Sequence, residues 1–342
     1  AKNLVIFDEI QLLDDPSNLL KLIADHFPNL KIIATGSSSL HLKQKFTDSL
    51  AGRKSVFYAE PLSFDEFLTF KGEEKLLRLR ALFSREKDKN SLQSLIESQH
   101  ENFLSLLNEY LIFGGYPEVV LLQSKKHKVE KLSGIADSYI KKDIRDIAKI
   151  ENVNAYNQLI KYVSINAGNL FNVSSASTSL SIAAATLLKY LFLLKETFII
   201  DELNPFYINK NKEITKNKKI YFKDNGLRNL QIRNFNTLDY RTDTGLLYEN
   251  YIYNVLTQQH DILESTYFYR TQSKTEIDFI TEKEGQLILT EVKSGNFSKK
   301  PKALSEFEKK YATIFSGIQK RVINQSYFNF ESDIKYVPAY LI

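Results

Sequence analysis

LVIFDEIQ, at residues 4–11, joins four apolar residues directly to two acids. An apolar run of this length is typical of a strand that is buried on both faces of a parallel sheet. A second run, LKIIA at residues 30–34, follows a stretch at residues 19–26 with apolar side chains at helical spacing. Strand, helix and strand in this order predict a parallel α/β unit, and we expect a third strand at residues 55–58.

The acids Asp8 and Glu9 follow the first predicted strand, where open α/β sheets bind their ligands. In nucleotide hydrolysis one carboxylate at such a place holds Mg²⁺, and a neighbouring one orients the attacking water. The triplet Thr35-Gly36-Ser37 follows the second strand and would bring a hydroxyl group to the same edge. The same residue types also occur as simple helix caps at strand ends, and this alternative stays open.

Three ordered stretches resemble one group of prokaryotic AAA+ ATPases: VIFDEIQ at 5–11, KIIATGSSS at 31–39 and SLAGRKSVFYAEPLSFDEFL at 49–68. That group carries a DExQ Walker B motif, a TGSSS-type sensor segment and an AGR element before a PLSF segment. The resemblance implies that the parent protein uses ATP and Mg²⁺, with Asp8 on the magnesium ion, Glu9 as catalytic base and Ser37 near the sensor position. It makes Arg53 a candidate arginine finger, with a surface salt bridge as the alternative.

The phosphate-binding loop of such ATPases, GxxxxGK[ST], does not occur in this sequence. The backbone N–H groups and the lysine of that loop cradle the nucleotide phosphates. We therefore expect the parent protein to be an ATPase and this chain, as given, to bind and hydrolyse ATP poorly. AAA+ cores often form homo-oligomers because an arginine of one subunit completes the next subunit's site. A homo-oligomer is accordingly an expectation from the resemblance.

The middle of the chain predicts a helical lid followed by a winged-helix-like domain. Ser63 and the acids after it form a helix-start signal. Further on, helical segments, a helix at 181–196 and two strands around a polar tip have the order of a winged helix. GGYPE at 114–118 and SYIKKDIRDI at 138–147 also resemble the ATPase group.

The helix at 181–196 carries few polar side chains for reading bases, so we place the expected DNA contact on the wing lysines. A structural or protein-binding role for this domain is the alternative. The lysines are Lys210, Lys212, Lys216, Lys218 and Lys219.

A second set of chemical residues lies in the last third of the chain. Glu291 and Lys293 are two apart on a predicted strand, so their side chains share one face. Asp278 lies on the preceding strand, and Glu249 lies on a predicted helix before it. Metal-dependent phosphodiester cleavage needs carboxylates around Mg²⁺ or Mn²⁺ and a lysine that positions water or stabilises charge. These residues are therefore candidates for a metal site formed by Glu249, Asp278 and Glu291, with Lys293 as a catalytic group.

This D…ExK pattern over residues 245–311 resembles the PD-(D/E)xK nuclease fold. The resemblance implies a restriction-endonuclease-like α/β domain with a metal site at its strands. Ile277 stands where that family usually has proline before the aspartate. A module that has kept the fold and lost cleavage is the alternative, as is an ordinary surface Glu–Lys pair.

Composition narrows the function classes. The 46 basic and 41 acidic residues give a net charge of +5, which permits contact with DNA without requiring it. The absence of cysteine excludes a disulfide scaffold and thiolate metal sites. No apolar run reaches the roughly 20 residues that span a bilayer, so we expect no membrane partner and a cytoplasmic protein.

The sequence thus predicts an α/β multi-domain protein that is part of a DNA-linked ATPase with a nuclease-like tail. One alternative is a nucleic-acid-binding or regulatory adaptor in which both catalytic sites are silent, and another is a toxin–antitoxin or defence-linked protein. The predicted domains are a partial AAA+ core at 1–60, a helical lid at 61–124, a winged-helix-like domain at 125–224 and the restriction-endonuclease-like domain at 225–342.

Overall fold

The computed structural model describes residues 3–36, 54–86, 88–138, 152–258 and 261–342. Ser37, Arg53 and the SYIKKDIRDI segment after Ser138 lie outside the described residues. The described chain is a mixed α/β structure with two two-stranded sheets and one five-stranded sheet. This agrees with the predicted α/β multi-domain class.

The N-terminal unit consists of β1 (Asn3–Phe7), α1 (Pro16–His26) and β2 (Leu30–Ala34). The two strands pair in parallel, which confirms the predicted α/β unit. The expected burial of the first strand is wrong, because Leu4 and Ile6 are 54% and 62% exposed. Within the described residues β1 pairs only with β2, so it is an edge strand of a two-stranded sheet. The strand expected at residues 55–58 does not form either, and that stretch has no regular secondary structure.

The helical region that follows starts as its capping signal predicts. The Ser63 hydroxyl accepts the Glu66 N–H, and the Glu66 carboxylate accepts the Ser63 N–H at 2.8 Å, which forms a capping box. The helices of this region are α2 (Phe64–Phe70), α3 (Glu74–Arg85), α4 (Gln93–Glu97), α5 (His100–Phe113) and α6 (Pro117–Val120).

A second group of helices precedes a short antiparallel hairpin. Strands β3 and β4 form the hairpin, and a short helix, α11, occupies the polar tip that was expected to be a wing. Its elements are α7 (Lys125–Ala136), α8 (Val153–Ile165), α9 (Val173–Leu180), α10 (Ala184–Glu196), β3 (Ile200–Leu203), α11 (Lys210–Thr215), β4 (Lys219–Phe222) and α12 (Asn225–Gln231).

None of the described helices has, alone, the length and apolar character that crossing a bilayer requires, although α9 and α10, bent by 105° at their junction, meet those two criteria as a pair.

The C-terminal module is a five-stranded mixed sheet in the order β5-β6-β7-β8-β9. The first three strands are antiparallel, whereas β8 lies parallel to β7 and β9 lies parallel to β8. Its elements are α13 (Thr244–Gln258), β5 (Glu264–Arg270), β6 (Glu276–Lys283), β7 (Gln286–Val292), α14 (Lys302–Tyr311), β8 (Gly317–Asn324) and β9 (Ile334–Pro338).

One hydrophobic core joins the helical region to the C-terminal module. It contains Phe67 and Phe103 from the helices together with Tyr251 and Phe279 from the module. The ring of Phe103 stacks on Tyr340 with 4.6 Å between centroids. The helices, α13 and the sheet therefore pack against one another in a single core that excludes water.

Two candidate carboxylate sites

The first pair of acids lies at the end of β1, as its position in the sequence predicts. The Thr35 hydroxyl donates to the Asp8 carboxylate and accepts the Glu9 N–H at 3.1 Å. Glu9 has left-handed backbone angles, φ 51° and ψ 50°, and the Ile10 N–H bonds the Thr35 carbonyl at 2.9 Å. The strand ends are thus fixed to each other by Thr35.

Thr35 is the hydroxyl residue that the structure brings to the acids, whereas Ser37 and Arg53 lie outside the described residues. Asp8 is exposed and Glu9 is partly exposed. A left-handed residue other than glycine costs about 1–2 kcal/mol, and such strain clusters at functional sites. Asp8 thus lies at the end of the strand, and the left-handed backbone of Glu9 directs the chain away from the strand.

The second set of residues comes together at one end of the C-terminal sheet. Asp278 lies on β6, Glu291 lies on β7, Lys293 follows β7 and Glu249 lies on α13. The Asp278 carboxylate accepts the Val292 N–H at 2.8 Å. The three carboxylates are close enough for Glu249 and Glu291 to act electrostatically on Asp278. The Asp278 carboxylate therefore lies against the backbone between Glu291 and Lys293, and the metal site formed by Glu249, Asp278 and Glu291 stays a prediction.

An irregularity in β6 lies at Asp278. Between the pairs Tyr267–Ile280 and Tyr269–Ile277, β6 has one residue more than β5. A bulge of this kind re-aims a side chain and is over-represented beside active sites. The regular alternation of side chains along the strand is therefore interrupted beside Asp278.

Glu291 and Lys293 form the most direct contact of the site. The Lys293 Nζ donates to Glu291 Oε1 at 2.6 Å, which agrees with their predicted common face. The other carboxylate oxygen, Glu291 Oε2, is buried and has no hydrogen-bond partner. An unsatisfied buried carboxylate oxygen is costly, and a cation would satisfy it.

Glu249 has different partners from those that the sequence predicted. Its Oε1 accepts hydrogen bonds from Lys219 Nζ at 3.0 Å and from the Tyr221 hydroxyl at 2.6 Å. Lys219 also lies 2.6 Å from Glu276 Oε1. We use the name acidic cluster for Glu249, Glu276, Asp278 and Glu291.

The expectation that Lys219 belongs to a solvated wing is wrong, since its side chain is only 2% exposed. Two other wing lysines are paired as well: Lys218 lies 2.9 Å from Glu202, and Lys210 lies 3.0 Å from Glu213. Their charge is therefore partly balanced within the chain, which weakens the electrostatic argument for DNA at this tip.

The acids of the cluster disfavour one another's charge. Burial, followed by the carboxylates of Glu249 and Glu291, raises the pKa of Asp278 well above its usual range. Burial is also the main reason that the pKa of Glu291 is raised, although Lys293 acts against it. Burial acts to lower the pKa of Lys293, but the Glu291 carboxylate outweighs it and the pKa is raised. Perturbed groups that meet in this way are typical of functional sites.

In the described part of the chain, no three His, Cys, Asp or Glu side chains are grouped so as to hold a metal ion. Glu249 is bonded to Lys219 and Tyr221 instead. Asp278 and Glu291 remain as candidate metal ligands. The Oε2 atom of Glu291 is buried and has no hydrogen-bond partner. Because Mg²⁺ commonly takes one or two protein carboxylates and fills its shell with water and phosphate oxygens, these two residues fit such an ion.

Lys219 and Tyr221 are site residues that the sequence analysis missed. They are two apart on β4, so they share a face in the same way as Glu291 and Lys293. This spacing was the available signal. What it did not reveal is that β4 packs beside α13, since the partner glutamate lies 30 residues away in the chain.

Three family models match parts of this chain. Residues 1–68 match a model described as an AAA domain, residues 104–238 match a domain of unknown function, DUF8612, and residues 244–342 match another, DUF4143. No solved structure matches the chain. The first and third matches support an AAA-type, ATPase-like family.

Three curated relatives are similar to most of this chain. The chain is 26% identical to uncharacterized protein MJ1544 of Methanocaldococcus jannaschii, over 90% of this chain and 65% of that protein. It is 28% identical to an uncharacterized protein of Haemophilus influenzae, over 84% of this chain and 64% of that one. It is 23% identical to uncharacterized protein Rv2008c of Mycobacterium tuberculosis, over 85% of this chain and 58% of that protein. The chain thus spans less than two thirds of the length of these relatives.

Proposed function

We propose that this chain is part of an AAA-type ATPase that acts on DNA, and that its C-terminal module is nuclease-like and has a two-carboxylate phosphodiester site. The observation that supports the second half is that, at one end of the five-stranded sheet, Asp278 accepts the Val292 N–H between Glu291 and Lys293, which bond each other. The order helix, three antiparallel strands, helix and parallel strand fits the predicted restriction-endonuclease-like fold.

Each residue of the site has a role in the proposal. Asp278 and Glu291 would hold Mg²⁺ or Mn²⁺, and the ion would supply Lewis-acid activation of a phosphoryl oxygen. Lys293, 2.6 Å from Glu291, would leave that carboxylate for the phosphate and stabilise negative charge as it develops. Glu249 would act near this pair rather than within it, because β4 holds its Oε1.

The ATPase half of the proposal rests on the AAA domain match over residues 1–68. Asp8 would hold the magnesium ion of ATP, and Glu9 would orient the attacking water. The hydrogen bonds of Thr35 to both residues support a shared role. Ser37 as sensor, Arg53 as arginine finger and a homo-oligomeric assembly remain proposals that follow from the family resemblance.

Nicking of supercoiled plasmid tests the phosphodiester site. We expect the full chain to nick DNA when Mg²⁺ or Mn²⁺ is present, and Asp278→Asn or Lys293→Met to reduce the rate at least about 100-fold, since each removes a charged group from the reacting centre. Lys320→Met is the matched control, because Lys320 is a paired lysine of the same module whose partners are Glu308 and Asp333. Equal nicking by wild type and Asp278→Asn would contradict the proposal.

A second candidate function is a DNA-binding adaptor that does not cleave. The pairing of Lys219 with Glu249 and Glu276 favours the absence of cleavage, since an ammonium group already balances part of the acidic cluster. The adaptor predicts salt-dependent DNA binding without nicking, and binding that is the same for wild type and Asp278→Asn.

A further inference from the structure

Lys219 enters the acidic cluster from an element outside the C-terminal sheet. It is the first residue of β4, in the hairpin that β3 and β4 form. Its Nζ lies 3.0 Å from Glu249 Oε1 and 2.6 Å from Glu276 Oε1, while its side chain is only 2% exposed. The ammonium group is therefore enclosed between two carboxylates that belong to α13 and β6.

This pairing fixes where Glu249 can bond. Tyr221, on the same face of β4, donates to the same Oε1 at 2.6 Å. Two donors therefore use the lone pairs that this oxygen would otherwise offer to a metal ion. A buried ammonium group is stable only while its carboxylate partners stay in place. The bonds of Lys219 therefore hold β4 against α13 and β6.

Glu276 is held from a second direction. Arg270 Nη1 lies 2.7 Å from Glu276 Oε2, so this carboxylate bonds a guanidinium group with one oxygen and Lys219 with the other. Of the four carboxylates in the acidic cluster, Glu249 and Glu276 thus bond cationic groups of β4 and β5. Glu291 also bonds a cationic group, Lys293, through Oε1, but its Oε2 is buried and has no hydrogen-bond partner, so Glu291 and Asp278 would hold the proposed metal ion.

We propose that Lys219 is a positioning residue that takes the place of a cation beside Glu249 and thereby limits divalent-metal binding at the site to Asp278 and Glu291. The inference rests on the proposed phosphodiester site and adds that the hairpin controls its metal affinity. Removing the ammonium group releases Glu249 and makes the acidic cluster more negative. Both changes strengthen the attraction for a divalent cation.

Titration of the full chain with Mn²⁺, followed by the electron paramagnetic resonance signal of the free ion, tests this inference. We expect Lys219→Met to bind Mn²⁺ at least about tenfold more tightly than wild type, because a full charge within a few ångströms of the ion is lost. Lys219→Arg keeps that charge, so its affinity is expected to stay within about twofold of wild type.

Lys320→Met is again the matched control. Lys320 is also buried, 3% exposed, and pairs with the carboxylates of Glu308 and Asp333, so its loss also removes a buried ammonium group that is paired with two acids. We expect this variant to lower the thermal midpoint as Lys219→Met does and to leave the Mn²⁺ affinity unchanged. Tyr221→Phe removes only the hydroxyl donor to Glu249 and is expected to tighten Mn²⁺ binding a few-fold. If Lys219→Met does not fold, the Mn²⁺ affinity of Tyr221→Phe tests whether the bonds from β4 to Glu249 limit metal binding.

The outcomes separate this inference from the proposed function. If Lys219→Met binds Mn²⁺ no more tightly than Lys219→Arg, or a folded Tyr221→Phe no more tightly than wild type, Lys219 does not limit the metal. Wild-type binding that Asp278→Asn abolishes would still support the phosphodiester site in that case. If neither wild type nor Lys219→Met binds Mn²⁺, both proposals are wrong.

Discussion

Asp224 ties the start of one helix to a turn far away in the chain. Its Oδ1 accepts the Leu227 N–H at 2.8 Å and caps α12, while its Oδ2 accepts the Gly115 N–H at 2.7 Å. The residue is 3% exposed. Burial raises its pKa to about 6, although the backbone N–H groups act to lower it. The carboxylate is thus a structural group with a titration near neutral pH.

Asp224→Asn is expected to destabilise the chain, because an amide N–H₂ replaces one accepting oxygen and faces a backbone donor. The loss should be about 1–3 kcal/mol. The pKa of Asp224 is about 6 in the folded state and 3.8 in the unfolded state, so between these pH values the folded state binds one more proton than the unfolded state. The free energy of unfolding of the wild type therefore falls as the pH rises from about 4 to 6.

Urea unfolding of wild type and variant from pH 4.5 to 7.5 measures both effects. The stability difference between them should be largest at pH 4.5 and shrink as the pH rises. A difference that does not change with pH would mean that Asp224 does not titrate in this range.

At the same scale, the sequence identified Asp278, Glu291 and Lys293 because their chemistry is local. A period of two on a strand is enough to put Glu291 and Lys293 together. The partners of Glu249 were not predictable in this way. Lys219 lies in a run of lysines that is typical of a solvated tip, and only the packing of β4 against α13 reveals that this one member is buried.

At the scale of elements, α12 depends on a glycine. A side chain at Gly226 would place its Cβ 2.1 Å from the Phe113 carbonyl oxygen at the end of α5. The helix therefore approaches the backbone of α5 more closely than any other residue permits. This contact joins α5 of the helical region to the helix that follows the β3–β4 hairpin.

We expect Gly226→Ala to lower the free energy of unfolding by roughly 3 kcal/mol, since backbone must move to relieve the overlap. Gly134→Ala is the control, because Gly134 lies in α7 and a Cβ there would meet nothing within 4 Å. Alanine at that helical position should raise stability by about 0.5–1 kcal/mol. Thermal unfolding followed by circular dichroism compares the two, and equal midpoints would contradict the assigned packing.

Elements with strong local signals agreed with prediction, and elements that depend on distant partners did not. The capping box at Ser63 starts α2 as expected. Strands β8 and β9 were missed, because they join the sheet by parallel pairing after α14 rather than through a hairpin. Residues 55–58 have the composition of a strand, but they find no ladder partner among the described residues.

At the scale of the whole molecule, the acidic cluster lies where separate parts of the chain meet. Glu249 comes from α13, Lys219 from the hairpin, and Asp278 and Glu291 from the sheet. The hydrophobic core beneath α13 includes residues of the helical region. A movement of the helices or of the hairpin would therefore change the positions of Glu249 and Lys219.

A second junction also crosses these parts. Arg228 of α12 donates to the Ser164 carbonyl at 2.8 Å and pairs with Asp243, which also bonds Arg241 at 2.8 Å. Burial acts to raise the pKa of Asp243, but the two guanidinium groups outweigh it and hold the pKa below its usual range. Paired charges that are buried in this way are costly to separate, so these ion pairs stabilise the contact of α12 with the residue before α13.

The central claim is that Asp278 and Glu291 form a divalent-metal site in the C-terminal module. Anomalous diffraction from crystals of this chain soaked in Mn²⁺ measures it directly. The proposal predicts an anomalous peak about 2.1–2.3 Å from an oxygen of Asp278 and from Glu291 Oε2. Density that is empty between these carboxylates, while Lys219 and Lys293 keep their bonds to Glu249 and Glu291, would contradict it.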